Sequence, residues 1–241
     1  MFNFISYGNH KYKRAVIRIK SEARSFGIFD TIKIFENHND IYSKEFYIKY
    51  NHILDNCKGN GFWIWKPILI KKELDRINNG DYLIYCDAGC VLNKNGLDRF
   101  NEYINLLDNS KCPILSFQMN HIEKEWTTKE IFKYFNVHDN TDIINTGQLV
   151  GGIFIIKKNN KTTEIINKWY NVTQSHIELF TDNYNDHQNS YFKDNRHDQS
   201  IFSVIRKLYL NHQCIIPDET YFDDFNSKEA LKIPFLAKRK H

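Results

Sequence analysis

The chain has 241 residues, of which 41% are hydrophobic and 15% aromatic, enough apolar side chain for one large domain with a real core. Its 33 basic and 29 acidic residues leave a net charge of +4, and only Lys238-Arg239-Lys240-His241 forms a dense basic run, which excludes the clustered basic face of a nucleic-acid-binding protein. No stretch approaches the roughly 18 consecutive apolar residues of a membrane span, Met1-Phe2-Asn3-Phe4-Ile5-Ser6 lacks a signal peptide's apolar region, and Cys57, Cys86, Cys90, Cys112 and Cys214 show no C-x-x-C spacing, so a reduced protein without a structural zinc site, cytoplasmic or peripheral to a membrane through its acceptor, is expected.

Phe2–Ser6 reads as a first strand, broken at Tyr7-Gly8-Asn9. From Tyr12 to Phe26 the apolar Val16, Ile17, Ala23 and Phe26 recur near helical period among Arg14, Arg18, Lys20 and Arg24, and Gly27 stops the helix. Ile32 and Ile34, alternating with Lys33, predict a strand over Phe29–Phe35, and this strand-helix-strand opening favours a parallel sheet. Pro67 suits the first turn of a helix running to about Ile77, with Ile70, Leu74 and Ile77 on one face. The turn Asn79-Gly80 then feeds Asp81–Cys86, which has the aromatic and apolar make-up of a buried parallel strand. A helix over Leu97–Leu107, a strand over Pro113–Phe117, a short helix over Ile131–Phe135, a buried strand over Gly151–Ile156 and a helix from Thr162 to about Phe180 follow. Residues 181–196 are polar and aromatic without period, the composition of a long loop of the kind used as a lid. A helix over Gln199–Leu210 and an irregular tail ending in Phe235-Leu236 and the basic run complete an α/β chain without repeat or linker.

The chemistry concentrates at strand and helix ends. Asp87 closes the apolar strand Tyr82–Cys86, and strand carboxyl ends are where open α/β sheets bind ligands; it reads either as an oxygen ligand for a divalent cation or as a turn former. Gly89 lets backbone approach a phosphate or sugar ring. Asp198 opens the Gln199 helix, where the macrodipole favours a carboxylate, either as a functional acid or as an N-cap. Lys66 sits at a helix start and opposes the dipole, which is understandable if an anion lies there. Gly151-Gly152 reads as a close backbone approach or a bulge, and Trp63 and Trp65 as faces for a sugar ring or braces for a helix start.

Taken in order, Gly61-Phe62-Trp63-Ile64-Trp65-Lys66-Pro67, Asp87-Ala88-Gly89, Gln148-Leu149-Val150-Gly151-Gly152-Ile153-Phe154 and Arg196-His197-Asp198-Gln199-Ser200-Ile201-Phe202-Ser203 resemble segments of the nucleotide-sugar-dependent glycosyltransferases of the GT-A fold, close to bacterial and viral capsule or surface-glycan transferases. The resemblance runs from Ser6 to Ser203. It implies a Rossmann-like, mostly parallel central sheet flanked by helices in a single domain, with a nucleotide-sugar-binding half over 1–110 and an acceptor-binding half with the C-terminal tail over 111–241. It also implies transfer of a sugar from a UDP- or GDP-linked donor to a hydroxyl of a glycan or glycosylated acceptor, in surface glycan or polysaccharide synthesis. In that fold an acidic strand-end motif, usually D-x-D, holds Mn2+ or Mg2+. Asp87 matches the first acid and Gly89 stands in place of the second, so the metal is either completed by a histidine such as His212 or His197 or replaced by Lys66 and C-terminal cations such as Arg239. On the donor side the resemblance implies base and ribose contacts from Ser6, Tyr7 and Gly8, with Tyr7 stacking on the base, and Arg18, Lys66, Asp87, Ala88, Gly89 and Arg239 around the diphosphate. On the acceptor side it implies Trp65, Trp126, Gln148, Gly151, Gly152, His197 and Gln199. Asp198 is then the general base if the anomeric centre inverts, or orients the acceptor if it is retained. Two other readings stay open: a metal-dependent phosphohydrolase or nucleotidyltransferase, disfavoured by Gly89, and a non-catalytic nucleotide- or glycan-binding protein of the same fold. Donor sugar, stereochemistry and oligomeric state are not legible in the sequence.

Overall fold

Alternating side chains sort onto the two faces of one sheet in the computed structural model, which describes residues 1–240. Its strands are β1 (Phe2–Tyr7), β2 (Thr31–Phe35), β3 (Tyr82–Cys86), β4 (Val91–Leu92), β5 (Ile114–Ile122), β6 (Gly147–Leu149), β7 (Ile153–Lys157), β8 (Ile215–Pro217) and β9 (Phe235–Leu236). Among the described residues seven of them form a sheet of order β2-β1-β3-β7-β5-β6, with β8 added to β5, while β4 and β9 pair separately. β1 is parallel to β2 and β3, and β8 is parallel to β5. β7 runs antiparallel to β3 and β5, and β6 antiparallel to β5, so the sheet is mixed but mostly one-directional.

The helices are α1 (Lys13–Phe26), α2 (Lys44–Leu54), the irregular turn α3 (Gly59–Phe62), α4 (Trp65–Arg76), α5 (Leu97–Asn109), α6 (Glu123–Trp126), α7 (Lys129–Tyr134), α8 (Thr141–Ile144), α9 (Asn160–Ser175) and α10 (Asp198–Leu210). On one face Phe4, Ile84, Ile153 and Ile155 pack with Ile19 and Phe26 of α1 and Phe100 of α5. On the other, Ile5, Leu83, Tyr85 and Phe154 pack with Leu69 of α4, Trp169 of α9 and Phe202 of α10. Each such side chain contributes about 1.5–3 kcal/mol by leaving water, so the two cores fix the helices against the sheet. Among the described residues no helix is long and apolar enough to cross a membrane.

The expected α/β class is present, and α1, α4 and α5 lie where periodicity puts them. Differences concern elements without a period of their own. Neither α2 nor the three-residue strands β6 and β8 are marked in the sequence pattern. α9 stops at Ser175 and a 3-10 turn carries the chain to Phe180. The loop over 181–196 is tied down by its own polar groups: Gln188 donates to Glu130, Lys193 pairs with Glu125, and Asn195 donates to the Thr181 carbonyl.

Two features of this topology create a crevice. The chain leaves β1 toward β2 on one side and returns to β3 on the other, so the carboxyl ends of β1 and β3 form a switch point. Because β7 is antiparallel to β3, the start of β7 lies beside the end of β3: Ile153 opposes Cys86, and the Asp87 amide donates to the Gly152 carbonyl at 2.8 Å.

Candidate functional site

Three charged side chains from three elements meet at this crevice. Asp87 leaves the end of β3, Lys66 projects from the first turn of α4, and Asp198 opens α10. The Lys66 ammonium lies 3.3 Å from Asp87 Oδ1 and 3.0 Å from Asp198 Oδ2, and it donates to the Gly151 carbonyl at 2.8 Å. Lys66 and Asp198 are buried, with side chains 3% and 5% exposed, whereas Asp87 is 35% exposed and faces solvent. Burial opposes the charge on Lys66, but Asp198 and Asp87 together outweigh it and raise its pKa. Burial pushes the Asp198 carboxyl up to about 6 against the pull of Lys66. Two carboxylates around one ammonium leave the cluster with a net charge of −1 when all three are ionised.

The local chain explains why Lys66 points inward. Residues 59–63 are all in the left-handed region, including the non-glycines Asn60, Phe62 and Trp63. Such backbone costs of order 1–3 kcal/mol per residue and is held only by its surroundings. Here the surroundings are rings: Trp63 stacks on His197 at 5.3 Å, and Trp65 packs on Tyr7 at 4.3 Å. Tyr85, two residues before Asp87 and on the same side of β3, donates its hydroxyl to Asp87 Oδ1 and fixes that carboxylate from below. Period two was the signal for Tyr85 in the sequence. A Cβ on Gly152 would come within 2.9 Å of Asp87 Oδ2, so the glycine gives this carboxylate its room.

Several expected ligands are instead braces. Ser6 is fully buried and donates to the Cys86 carbonyl, which ties β1 to β3 beneath the crevice. Tyr7 is buried, its phenol pushed up to about 12 by burial and held by Asn60, so it has no face for a base. Gly8 packs against Val16 and Ala88. Arg18 spends its guanidinium on Glu22 and on the Ala88, Cys90 and Lys240 carbonyls, so it supports the loop after Asp87 and does not face a phosphate. Trp65 is buried with its indole N–H on the Gly59 carbonyl, and it offers no surface to a sugar. Lys66 itself is buried, its ammonium directed to Asp87, Asp198 and the Gly151 carbonyl. Asp198, expected as the general base, lies under Lys66 with its side chain 5% exposed.

His197 and Gln148 are likewise internal. His197 is buried, its Nδ1 2.7 Å from the Phe180 carbonyl, and burial lowers its pKa. Gln148 is fully buried, and the two hydrogens of its amide nitrogen are surrounded by four acceptors, Glu123, Thr127, Ser200 and the Trp126 carbonyl, at 3.0–3.2 Å. Its oxygen accepts from Gln199, whose own oxygen accepts from the Gly151 amide at 2.8 Å. At the centre of this network stands the fully buried pair Glu123–Lys207, 2.6 Å apart, which locks α10 to β6 and thereby sets the height of Asp198. No local pattern marks Glu123 or Lys207 in the sequence, because their burial depends on elements 84 residues apart.

A cationic and aromatic group adjoins the start of α10. The Arg196 guanidinium lies 4.1 Å above the half-exposed Trp126 ring, and the Arg196 amide is anchored on the Trp126 carbonyl at 3.2 Å. Burial and the nearby Arg239 lower the Arg196 pKa. Arg239 is exposed, and its backbone runs alongside Gly89, held by a hydrogen bond from the Lys240 amide to the Gly89 carbonyl at 2.7 Å. The two guanidinium groups thus stand near each other, and the backbone of the basic run lies along the loop after Asp87. His241 of the basic run lies outside the described residues. Two hollows of about 380 and 390 Å3 lie outside the cluster, one along Glu22, Asn93 and Lys240 and the other along Lys129, Lys133 and Tyr191.

The donor set does not fit a divalent cation. The space between Asp87 and Asp198 holds an ammonium, and one third-exposed carboxylate remains. His212 cannot complete the set: it follows the far end of α10, about 20 Å along the helix axis from Asp198 at 1.5 Å per residue. His197 is turned to Phe180. Among the described residues no group of three or more His, Cys, Asp or Glu is placed to hold a metal.

Comparison with protein-family models and with curated proteins gives no match. Among solved structures the chain is similar to a glycosyltransferase involved in glycosylation of the major capsid of PBCV-1, with 10% identity over 98% of this chain and 92% of that one and a TM-score of 0.47. It is also similar to mouse xyloside xylosyltransferase 1, with 9% identity over 98% and 96% of the two chains and a TM-score of 0.48. The galactosyltransferase LgtC, solved with donor and acceptor sugar analogues, shows 11% identity over 99% and 84% and a TM-score of 0.41.

Proposed function

We propose that the protein transfers a sugar from a nucleoside diphosphate sugar to an acceptor hydroxyl, with the donor half over 1–110 and the acceptor half over 111–241. The observation that carries this reading is the Asp87 carboxylate at the switch point, held by Tyr85 and Lys66 yet 35% exposed, with the basic C-terminal run tied to Gly89 just after it. The cations and the carboxylate suit the two charges such a reaction develops. Negative charge grows on the departing diphosphate, and the Arg196 and Arg239 guanidinium groups offer planar, permanently charged donors for it. Positive charge grows at the anomeric carbon, and Asp87, already oriented, offsets it and accepts hydrogen bonds from the sugar's hydroxyls. Lys66 and Asp198 act through Asp87 as positioning residues. Gly89 and Gly152 leave backbone and carboxylate open to a ring. Donor base, acceptor and a place in surface glycan synthesis belong to the same proposal and rest on the sequence resemblance.

Calorimetric titration with UDP- and GDP-linked sugars, followed by assay of nucleoside diphosphate release with and without glycan acceptors, tests it. Acceptor-dependent release that Asp87→Asn reduces at least about 100-fold, with folding intact, is the expected result. Release of inorganic phosphate without sugar transfer would instead identify a phosphohydrolase, and binding without turnover a non-catalytic protein.

A further inference from the structure

Arg206, in α10, is fully buried and, among the described residues, unmatched by any acid. Its Nη2 donates to the Ile114 carbonyl at 2.9 Å and to the Gln213 carbonyl, its Nη1 to the Asn211 carbonyl at 3.2 Å, and its Nε has no partner. Among the described residues the only charge-bearing groups that act on it are two thiols, Cys112 and Cys214. Cys112 Sγ accepts from Arg206 Nη2 at 3.2 Å. Cys214, held in the left-handed region just past α10, has its Sγ 2.9 Å from Ser110 Oγ and donates to the Cys112 carbonyl at 3.6 Å, which sets the two cysteines side by side. A buried cation left without a counter-ion is strongly unfavourable, and carbonyl dipoles supply only part of the compensation.

We propose that Cys112 and Cys214 are a redox-active pair that shares one thiol proton, the resulting thiolate serving as the counter-ion of Arg206. The groups facing the pair come from each adjoining element: Ser110 from the turn after α5, Cys112 from the start of β5, Arg206 from α10 and Cys214 from the turn before β8. Cys214 is the attacking sulfur, because it is partly exposed while Cys112 is buried. With a hydroperoxide as oxidant, the Cys214 thiolate attacks the peroxide oxygen, the O–O bond breaks, and the departing hydroxide or alkoxide takes a proton to leave water or an alcohol and a sulfenic acid. Cys112 then attacks the Cys214 sulfur, the S–O bond breaks, and hydroxide leaves with the Cys112 proton as water. Two thiols have lost two electrons, the peroxide has gained them, and a Cys112–Cys214 disulfide joins the start of β5 to the end of α10. Oxidation removes the anion that neutralises Arg206, so the oxidised form carries an unpaired buried guanidinium and is poised for reduction by thiols.

The inference stands independently of sugar transfer, and the test uses the intact reduced chain. Iodoacetamide labelling of Cys214, followed by peptide mass mapping as pH is varied, should show a midpoint near 6, where burial is outweighed by the Cys112 hydrogen bond together with Ser110 and Arg206, against about 8.5 for a free cysteine. Hydrogen peroxide should then give a Cys112–Cys214 link with loss of two hydrogens, reversed by dithiothreitol. In Cys112→Ser the sulfenic acid should persist on Cys214 and be trapped by dimedone. A labelling midpoint in the ordinary cysteine range, or peroxide oxidation confined to the exposed Cys57, would overturn the proposal.

Discussion

Asp198→Asn separates the two roles a buried carboxylate can play here. Burial raises the Asp198 carboxyl from 3.8 to about 6. A shift of roughly two units is worth about 3 kcal/mol between folded and unfolded protein. The sign follows from the direction: a group whose folded pKa lies above its unfolded value contributes stability that is fully present below about pH 4 and lost as pH rises through about 6. The asparagine variant never carries that charge. It should match the wild type below about pH 4 and exceed it by up to about 3 kcal/mol at neutral pH, the gap opening between the two pKa values. Charge counting agrees, since the substitution turns a buried cluster of −1 into the neutral pair Lys66–Asp87. Urea denaturation across this pH range measures it, with midpoints compared at constant m-value. A variant less stable than wild type at neutral pH, or a difference that does not change with pH, would refute the reasoning. The same protein reports on mechanism. Losing one charge-assisted contact to Lys66, about 1.5 kcal/mol, should slow transfer roughly tenfold. Loss as complete as in Asp87→Asn would return the role of base to Asp198.

Lys66→Met has the opposite sign: two carboxylates remain without a cation, and stability should fall by about 3–5 kcal/mol at neutral pH, less in acid as Asp198 takes up its proton, which thermal or urea melts at the two pH values will show. Lys207→Met strands the fully buried Glu123 and should cost about 3–5 kcal/mol in the same melts. Binding of a nucleoside diphosphate, followed by calorimetry, should be unchanged by a chelator; binding lost on chelation and restored by manganese would show that Asp87 recruits a metal despite the ammonium beside it.

The fold was legible where a segment carries its own period. α1, α4 and β3 each bury one face or two by local pattern alone, and the ligand-binding edge follows from the apolar strand that ends in Asp87. β6 and β8 escape notice because three residues hold no period, and their place is set by hydrogen bonds to β5. The direction of β7 is invisible in Gly151–Ile156 for the same reason, yet it decides the site, because only an antiparallel β7 brings Gly152 against Asp87.

Residue chemistry told which groups would gather but not which would face water. Asp87, Lys66 and Asp198 are marked by their positions at strand and helix ends, and they do converge. Their division of labour depends on depth. Lys66 enters on a left-handed turn that no sequence period encodes and comes to rest between the carboxylates, filling the place a metal was expected to take. Arg196, at the head of the segment that drew attention, stays partly exposed on the face of Trp126 while His197 and Asp198 turn inward. A histidine or aspartate in such a motif is therefore as apt to build the floor of a crevice as to work in it. What distinguishes the two is whether its polar atoms are already spent on the protein, as those of Gln148 and Lys66 are, or still open to a ligand, as Asp87 Oδ2 is.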